Sequence, residues 1–165
     1  MITPVAALTR FSIEHRRQCV TYIDEVVNVR YGFKIESAGL LLGRQEKIEI
    51  IDSFDICPVP NSPEWLRGVI NLRGNIIPVM DIRKIAGLGD DREIRFIVIF
   101  GRGEKSAGLC VDKLPESLRL DNASRVEDTP PDFFVPYCSD IYRLNDQTWL
   151  EVDFQSLFED LYKFT

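Results

Sequence analysis

The sequence predicts a mainly β fold of antiparallel sheets or small barrels. Short apolar runs broken by turn residues fill the chain from Tyr31 to Val152, a pattern typical of strands joined by hairpins. The chain has 165 residues, of which 45% are hydrophobic. It can therefore form one ordinary domain or two small lobes that share an interface. Helical patterns are few.

Most connections between the predicted strands are short, so hairpins are expected to outnumber crossovers. The turns are expected at Ser37-Ala38-Gly39, at Gly74-Asn75 and at residues 101–105. The predicted strands are residues 31–35, 40–42, 48–51, 69–73, 76–80, 94–100, 108–111 and 149–152.

The first thirty residues predict an amphipathic helix that Ser12 can cap. Such a helix either packs on the body of its own protein or acts as an arm that binds a partner. We expect residues 1–30 to form this extension and residues 31–165 to form the main domain. The apolar stripe of the helix consists of Ile13, Val20, Ile23 and Val27.

Two further helices are predicted from their ends. Asp81 and Gly87 can begin and end a helix of one or two turns. Asp153 can cap a short carboxyl-terminal helix with a core-facing stripe at i, i+3, i+4 and i+7. Residues 124–137 contain three prolines and a possible capping box at Ser124, which predicts a surface excursion. The core-facing stripe consists of Phe154, Leu157, Phe158 and Leu161.

Charge and composition argue against several classes of protein. The formal net charge of -6 disfavours binding to a phosphate backbone. The sequence has no apolar run of roughly 18 residues and no signal-peptide pattern at its start, so we expect a cytoplasmic protein. The four cysteines are too far apart for a zinc site, even with His15, and are expected to be reduced and mostly buried.

No catalytic constellation can be identified, so we expect neither an enzyme nor a cofactor or metal. Residues 101–106 resemble a phosphate loop only faintly and predict a hairpin turn, because Glu104 stands where the motif needs glycine. Cys57 and Cys110 lack an identifiable base. The acidic residues Asp90, Asp91 and Glu93 are expected in a solvated surface loop.

The most informative segment is residues 57–83. Its prolines stiffen an extended lead-in, and Gly68 permits a close backbone approach where a strand begins. Side chains then alternate along the predicted strand, which places Ile70 and Leu72 on one face. Arg73 is expected at a hairpin tip, where its guanidinium can bind a carboxylate or carbonyls of a partner, or can pair within its own lobe. The residues alone leave both roles open. The opposite face carries Val69, Asn71 and Arg73.

Residues 57–83 closely resemble the signature of CheW-type coupling domains. The lead-in is followed by Gly-Val-Ile-Asn-Leu-Arg-Gly at residues 68–74, by Pro78 and by Asp81-Ile82-Arg83. Residues 31–42, 94–100, 107–112 and 149–153 are similar to the outer blocks of the family, so the resemblance covers about residues 31–160.

This resemblance implies two SH3-like five-stranded barrels packed on a shared core, without a catalytic centre. It implies an adaptor in bacterial two-component signalling that joins the cytoplasmic tips of chemoreceptors to the regulatory domain of a CheA-type histidine kinase. The resemblance also implies that the protein is recruited to receptor arrays at the inner membrane. The expected partner-binding residues are Arg73, Gly68, Val69, Asn71, Gly74 and Arg67, and the expected structural residues are Pro60, Pro78, Asp81, Gly108 and Asp112.

Two departures from the family pattern keep alternatives open. The amino-terminal helix is extra, and residues 43–47 are more polar than the usual strand. An accessory member serving a pilus or surface-motility system is therefore an alternative, as is a localisation factor that uses this helix. A small OB-like oligonucleotide binder is an alternative of another class. It would use a local basic patch formed by Arg67, Arg73, Arg83 and Lys84.

Overall fold

The computed structural model describes residues 29–36, 38–88 and 93–163, so the predicted amino-terminal helix lies outside the described residues, as do Asp90 and Asp91. The described chain is mainly β, as expected. Its helices are α1 (Ile82–Ala86) and α2 (Phe154–Tyr162). Its strands are β1 (Val29–Ile35), β2 (Ala38–Leu41), β3 (Ile48–Ile51), β4 (Leu66–Leu72), β5 (Asn75–Met80), β6 (Phe96–Phe100), β7 (Ala107–Val111), β8 (Glu116–Arg119), β9 (Ser124–Arg125), β10 (Cys138–Leu144) and β11 (Gln147–Val152).

These strands form two sheets, which define two lobes. The first lobe has the strand order β8-β1-β2-β11-β10-β9, and the second has the order β3-β6-β7-β5-β4. The first lobe therefore combines both ends of the described chain, and its β2 and β11 pair in parallel. The resemblance implied five strands in each barrel. The first sheet has one strand more, the two-residue edge strand β9.

The central strands of each sheet are buried on both faces, because their side chains alternate between the interior of their own lobe and a core shared with the other lobe. Leu41, Leu118, Leu120 and Trp149 fill the first interior. Ile70, Ile77, Val79, Ile97, Ile99 and Cys110 fill the second. The shared core includes Phe33, Leu40 and Leu150 of the first sheet and Val98, Phe100 and Leu109 of the second. The predicted shared core is confirmed.

Helix α2 completes the shared core. The Asp153 carboxylate accepts a hydrogen bond from the Ser156 backbone N–H at 3.1 Å and caps the helix, as predicted. The predicted stripe is buried. The Phe154 ring lies 5.9 Å from that of Phe33 and 4.6 Å from that of Phe100, so α2 contacts both sheets.

The structure corrects several strand boundaries. The sequence did not indicate β8 or β10, because their residues are largely polar and half-exposed. The β10–β11 turn has positive φ at both Asn145 (50°) and Asp146 (61°), as a type I′ hairpin requires. Ser124 lies in β9 and begins no helix. Ala38 and Gly39 belong to β2 rather than to a turn.

The expectation that the cysteines are mostly buried is wrong for the described residues. Cys110 is buried, but Cys57 is exposed and Cys138 is half-buried, and all three are free thiols. Cys57 is exposed because it lies in the extended lead-in to β4, outside either lobe interior.

The Trp149 ring packs directly on the backbone of β1 and β2. A Cβ atom at Gly32 would lie 2.7 Å from Trp149 Cζ3, and one at Gly39 would overlap the ring. Trp149 is 2% exposed, so the ring is enclosed by the protein and cannot move aside into solvent. Glycine at these positions is therefore required by packing.

We expect Gly39→Ala to lower the free energy of unfolding by about 1–3 kcal/mol, because the added methyl group forces the buried ring to shift. Gly43→Ala is the matched control, since its closest neighbour is the movable carboxylate of Glu46. Urea denaturation measures both variants. Equal stability of the two would contradict this packing role.

Helix α1 carries a buried ion pair at its start. Arg83 Nε and Nη2 donate to the two carboxylate oxygens of Asp81 at 2.9 and 3.0 Å. The same carboxylate accepts from the Arg83 backbone N–H at 3.2 Å and caps α1, which ends at Gly87 with φ 64°. Asp81 is 2% exposed and Arg83 is 5% exposed.

We expect Arg83→Met to lower the free energy of unfolding by about 3–5 kcal/mol, because it leaves the Asp81 carboxylate buried without its counter-charge. The Asp81→Asn/Arg83→Met double variant should be more stable than Arg83→Met alone, since asparagine keeps a cap without a buried charge. Urea denaturation of the variants tests this order. A double variant less stable than Arg83→Met would refute it.

Candidate docking surface

Strands β4 and β5 form a hairpin closed by the two-residue turn Arg73-Gly74. Leu72 pairs with Asn75, and φ is 52° at Arg73 and 85° at Gly74. Positive φ at both positions is typical of a type I′ turn, which matches the twist of the strands. The Asn71 side-chain oxygen accepts from the Gly74 backbone N–H at 2.9 Å. Asn71 and Gly74 thus hold the turn that presents Arg73.

The Arg73 guanidinium is oriented by a carboxylate from the opposite edge of the sheet. Nη1 and Nη2 donate to the two oxygens of Glu49, on β3, at 2.8 and 2.6 Å. This hydrogen bonding lowers the pKa of Glu49 and raises the pKa of Arg73. The Arg73 side chain is nevertheless 72% exposed. Arg73 pairs within its own lobe and still presents its guanidinium to solvent.

A depression of about 360 Å³ opens beside this ion pair. Ile77 and Ile99, from the interior of the second lobe, line it together with Glu49 and Arg73. The ion pair therefore stands at an open end of the lobe, where its charges border apolar surface.

Gly68 positions the proline-rich lead-in against β4. Cys57 and Val69 exchange two backbone hydrogen bonds of 2.8 and 2.9 Å. Gly68 has φ 141°, and a Cβ atom there would overlap the Cys57 carbonyl oxygen. The lead-in thus covers part of the β4 edge, and Gly68 acts through its backbone.

The outward surface of the hairpin is partly apolar. Ile70 is 3% exposed, which confirms that it faces the interior. On the other side, Val69 is opposite Pro78 and Asn71 is opposite Ile76. Ile76 is 61% exposed and was missed by the sequence reasoning, although it alternates with the buried Ile77. We call Val69, Asn71, Ile76 and Pro78, with Arg73 at the tip, the hairpin face.

The remaining expected residues lie mainly behind this face. A Cβ atom at Gly108 would lie 2.8 Å from Ile97 Cγ2, so this glycine serves packing. Burial, together with the nearby Asp81 charge, raises the pKa of the Cys110 thiol to about 12. Asp112 is half-buried. The hydrogen bonds to Asp81 raise the pKa of Arg83, and the charge of Asp112 adds to this effect. Pro60 is exposed in the lead-in, and Arg67 is half-buried on β4.

The predicted basic patch does not form a continuous exposed surface. Arg83 is buried against Asp81, and Arg73 is paired with Glu49. Two of the four cations are therefore already bound to carboxylates, which leaves little positive charge to attract a phosphate backbone.

In residues 29–36, 38–88 and 93–163, no group of three or more His, Cys, Asp or Glu side chains could hold a metal ion. None of the helices within those ranges has the length and apolar character needed to cross a membrane.

Comparison with known proteins finds chemotaxis proteins that are similar to this chain. The CheW protein of Thermotoga maritima is 35% identical over 89 residues, which are 53% of this chain and 59% of the relative. The CheW protein of Helicobacter pylori is 28% identical over 96 residues, 52% of this chain and 58% of the relative. The chain thus spans less than two thirds of the length of either relative.

The fold comparison agrees. The crystal structure of the scaffolding protein TtCheW from Thermoanaerobacter tengcongensis aligns with a TM-score of 0.64 and 29% identity, over 79% of this chain and 92% of that chain. The model of the CheW-like domain matches residues 33–161, which include the hairpin face and most of both lobes and of α2. The chain therefore belongs to the CheW-like domain family.

Proposed function

We propose that this protein is a non-enzymatic adaptor in a bacterial chemosensory complex, and that it couples chemoreceptor cytoplasmic tips to the regulatory domain of a CheA-type histidine kinase. The hairpin face carries this proposal, because it combines the exposed Ile76 and the half-buried Val69 with an oriented guanidinium on a rigid turn. Family membership supports it, since the matched relatives are chemotaxis proteins and the structural neighbour is a scaffolding protein. The proposed location is the cytoplasm, at receptor arrays on the inner membrane.

The geometry of the hairpin face suits a helical partner. Ile76 and Val69 offer apolar contacts, and Arg73 can share its unused N–H donors with a carboxylate or a helix carbonyl. Because Glu49 already fixes the guanidinium, little side-chain freedom is lost on binding. A receptor tip formed by helices can supply both an apolar stripe and acidic or carbonyl acceptors.

An adaptor must hold two partners at once. The resemblance implies that the region of the signature hairpin serves both contacts, so we expect the kinase domain to contact the hairpin region or an adjoining lobe surface.

The direct test is titration of the full chain with a kinase regulatory domain and with a receptor cytoplasmic fragment, alone and together. We expect each partner to bind, and the mixture to form a ternary complex in analytical ultracentrifugation. Binding to neither partner, where a standard CheW adaptor binds both, would overturn the proposal.

We expect Arg73→Ala to weaken binding of at least one of these partners by about tenfold or more, because a charge-assisted contact is lost. The melting temperature should change little, since the side chain is mostly exposed. Calorimetric titration and thermal unfolding measure the two effects.

Two matched variants separate the role of the guanidinium from general charge. Glu49→Gln keeps the Arg73 charge but loses one anchor, so its binding defect should be smaller than that of Arg73→Ala. Arg95→Ala removes an arginine directly before β6 that is 65% exposed and paired with Glu93, and it should bind normally. A defect of Arg95→Ala equal to that of Arg73→Ala would assign the effect to net charge.

A further inference from the structure

A groove lined by apolar and charged side chains runs along α2 beside the β6–β7 loop, where Gly101 and Arg102 also border the depression next to Arg73 and Glu49. Two adjoining depressions of about 630 and 450 Å³ share Glu46, Gly101, Arg102 and Gln155. Phe100, Phe158 and Tyr162 line the larger depression. The Tyr162 hydroxyl donates to the Ser106 carbonyl at 3.0 Å, which fixes one wall of the groove. We call these two depressions the α2 groove.

The described chain begins beside this groove. Gly32 pairs with Leu41, and the Leu42 N–H donates to the Tyr31 carbonyl at 2.8 Å. Val29 therefore lies beyond Leu42, at the end of the sheet where the β2–β3 loop starts with Gly43. Gly43 and Asp153, which caps α2, both line the smaller depression. The preceding residues thus join the body next to the entrance of the α2 groove.

The start of β1 also leaves apolar surface uncovered. Val29 and Tyr31 lie on the same face of the sheet as Phe33 and Ile35, because side chains alternate along a strand. Phe33 is 1% exposed beneath α2, whereas Tyr31 is 56% exposed and Val29 is 40% exposed. Among the residues that the structure describes, the part of this face that carries Val29 and Tyr31 is therefore left largely exposed.

We propose that residues 12–28 of this chain occupy the α2 groove, with the stripe of Ile13, Val20, Ile23 and Val27 against Phe158 and Tyr162. This intramolecular contact goes beyond the adaptor role and does not depend on it. A helix over residues 12–28 would extend about 25 Å, enough to follow the nine residues of α2.

The charges along the groove fit this segment. Glu46 is half-buried near Asp153, and burial together with the Asp153 charge raises the pKa of Glu46. An incoming cation would offset that repulsion. Arg16 and Arg17 lie between Ile13 and Val20 of the stripe and can supply it.

Cross-linking in the full chain tests the contact through the native Cys19, next to Val20. The background carries Cys57→Ser and Cys138→Ser, and the buried Cys110 is kept. Glu159→Cys places a thiol on the groove, whereas Glu127→Cys places an exposed thiol at a separate depression of the first lobe. A short bismaleimide is the probe, and intact mass identifies monomeric cross-linked product.

We expect at least about tenfold more monomeric product with Glu159→Cys than with Glu127→Cys, because docking raises the local thiol concentration. Adding Val20→Asp should remove this preference, while Glu25→Gln should keep it. Equal yields at both positions, products that are only dimeric, or a preference that survives Val20→Asp would each overturn the proposal.

Discussion

The packing of α2 between the two sheets is the interaction on which the rest of the structure depends. Phe154 and Phe158 place their rings against Phe33 of the first lobe and Phe100 of the second. Each lobe alone is small, and its sheet would expose the face that the shared core covers. Neither sheet can therefore be treated as an independent domain, and the second lobe holds its hairpin at a fixed position relative to the first.

The residues of the CheW-type signature are of two kinds: some build the hairpin, and others face solvent. Gly68 allows the lead-in to approach the backbone of β4 closely, Asn71 accepts a hydrogen bond that closes the turn, and Asp81 caps the following helix. Arg73 and Ile76 are exposed members of the hairpin face. Family signature residues therefore need not touch a partner, since several of them act by making the turn rigid.

Local patterns account for what the sequence predicted well. Capping residues and apolar spacing identified both described helices, and the alternation around Ile70 identified the inner face of the hairpin. Strand β10 was not predicted, because Cys138–Leu144 lacks an apolar run and is stabilised by its neighbours in the sheet. The ion pair between Arg73 and Glu49 was not predicted, because the two residues are 24 positions apart and no local pattern connects them. The burial of Arg83 is likewise set by tertiary packing.

Methyl NMR of the full chain, labelled at isoleucine and valine, tests most directly whether the hairpin face is the docking surface. The protein would be titrated with a receptor cytoplasmic fragment. The account predicts that the Ile76 and Val69 methyl signals shift most, while those of the interior residues Ile97 and Val79 change little. Shifts confined to the first lobe, with Ile76 unchanged at saturation, would contradict it.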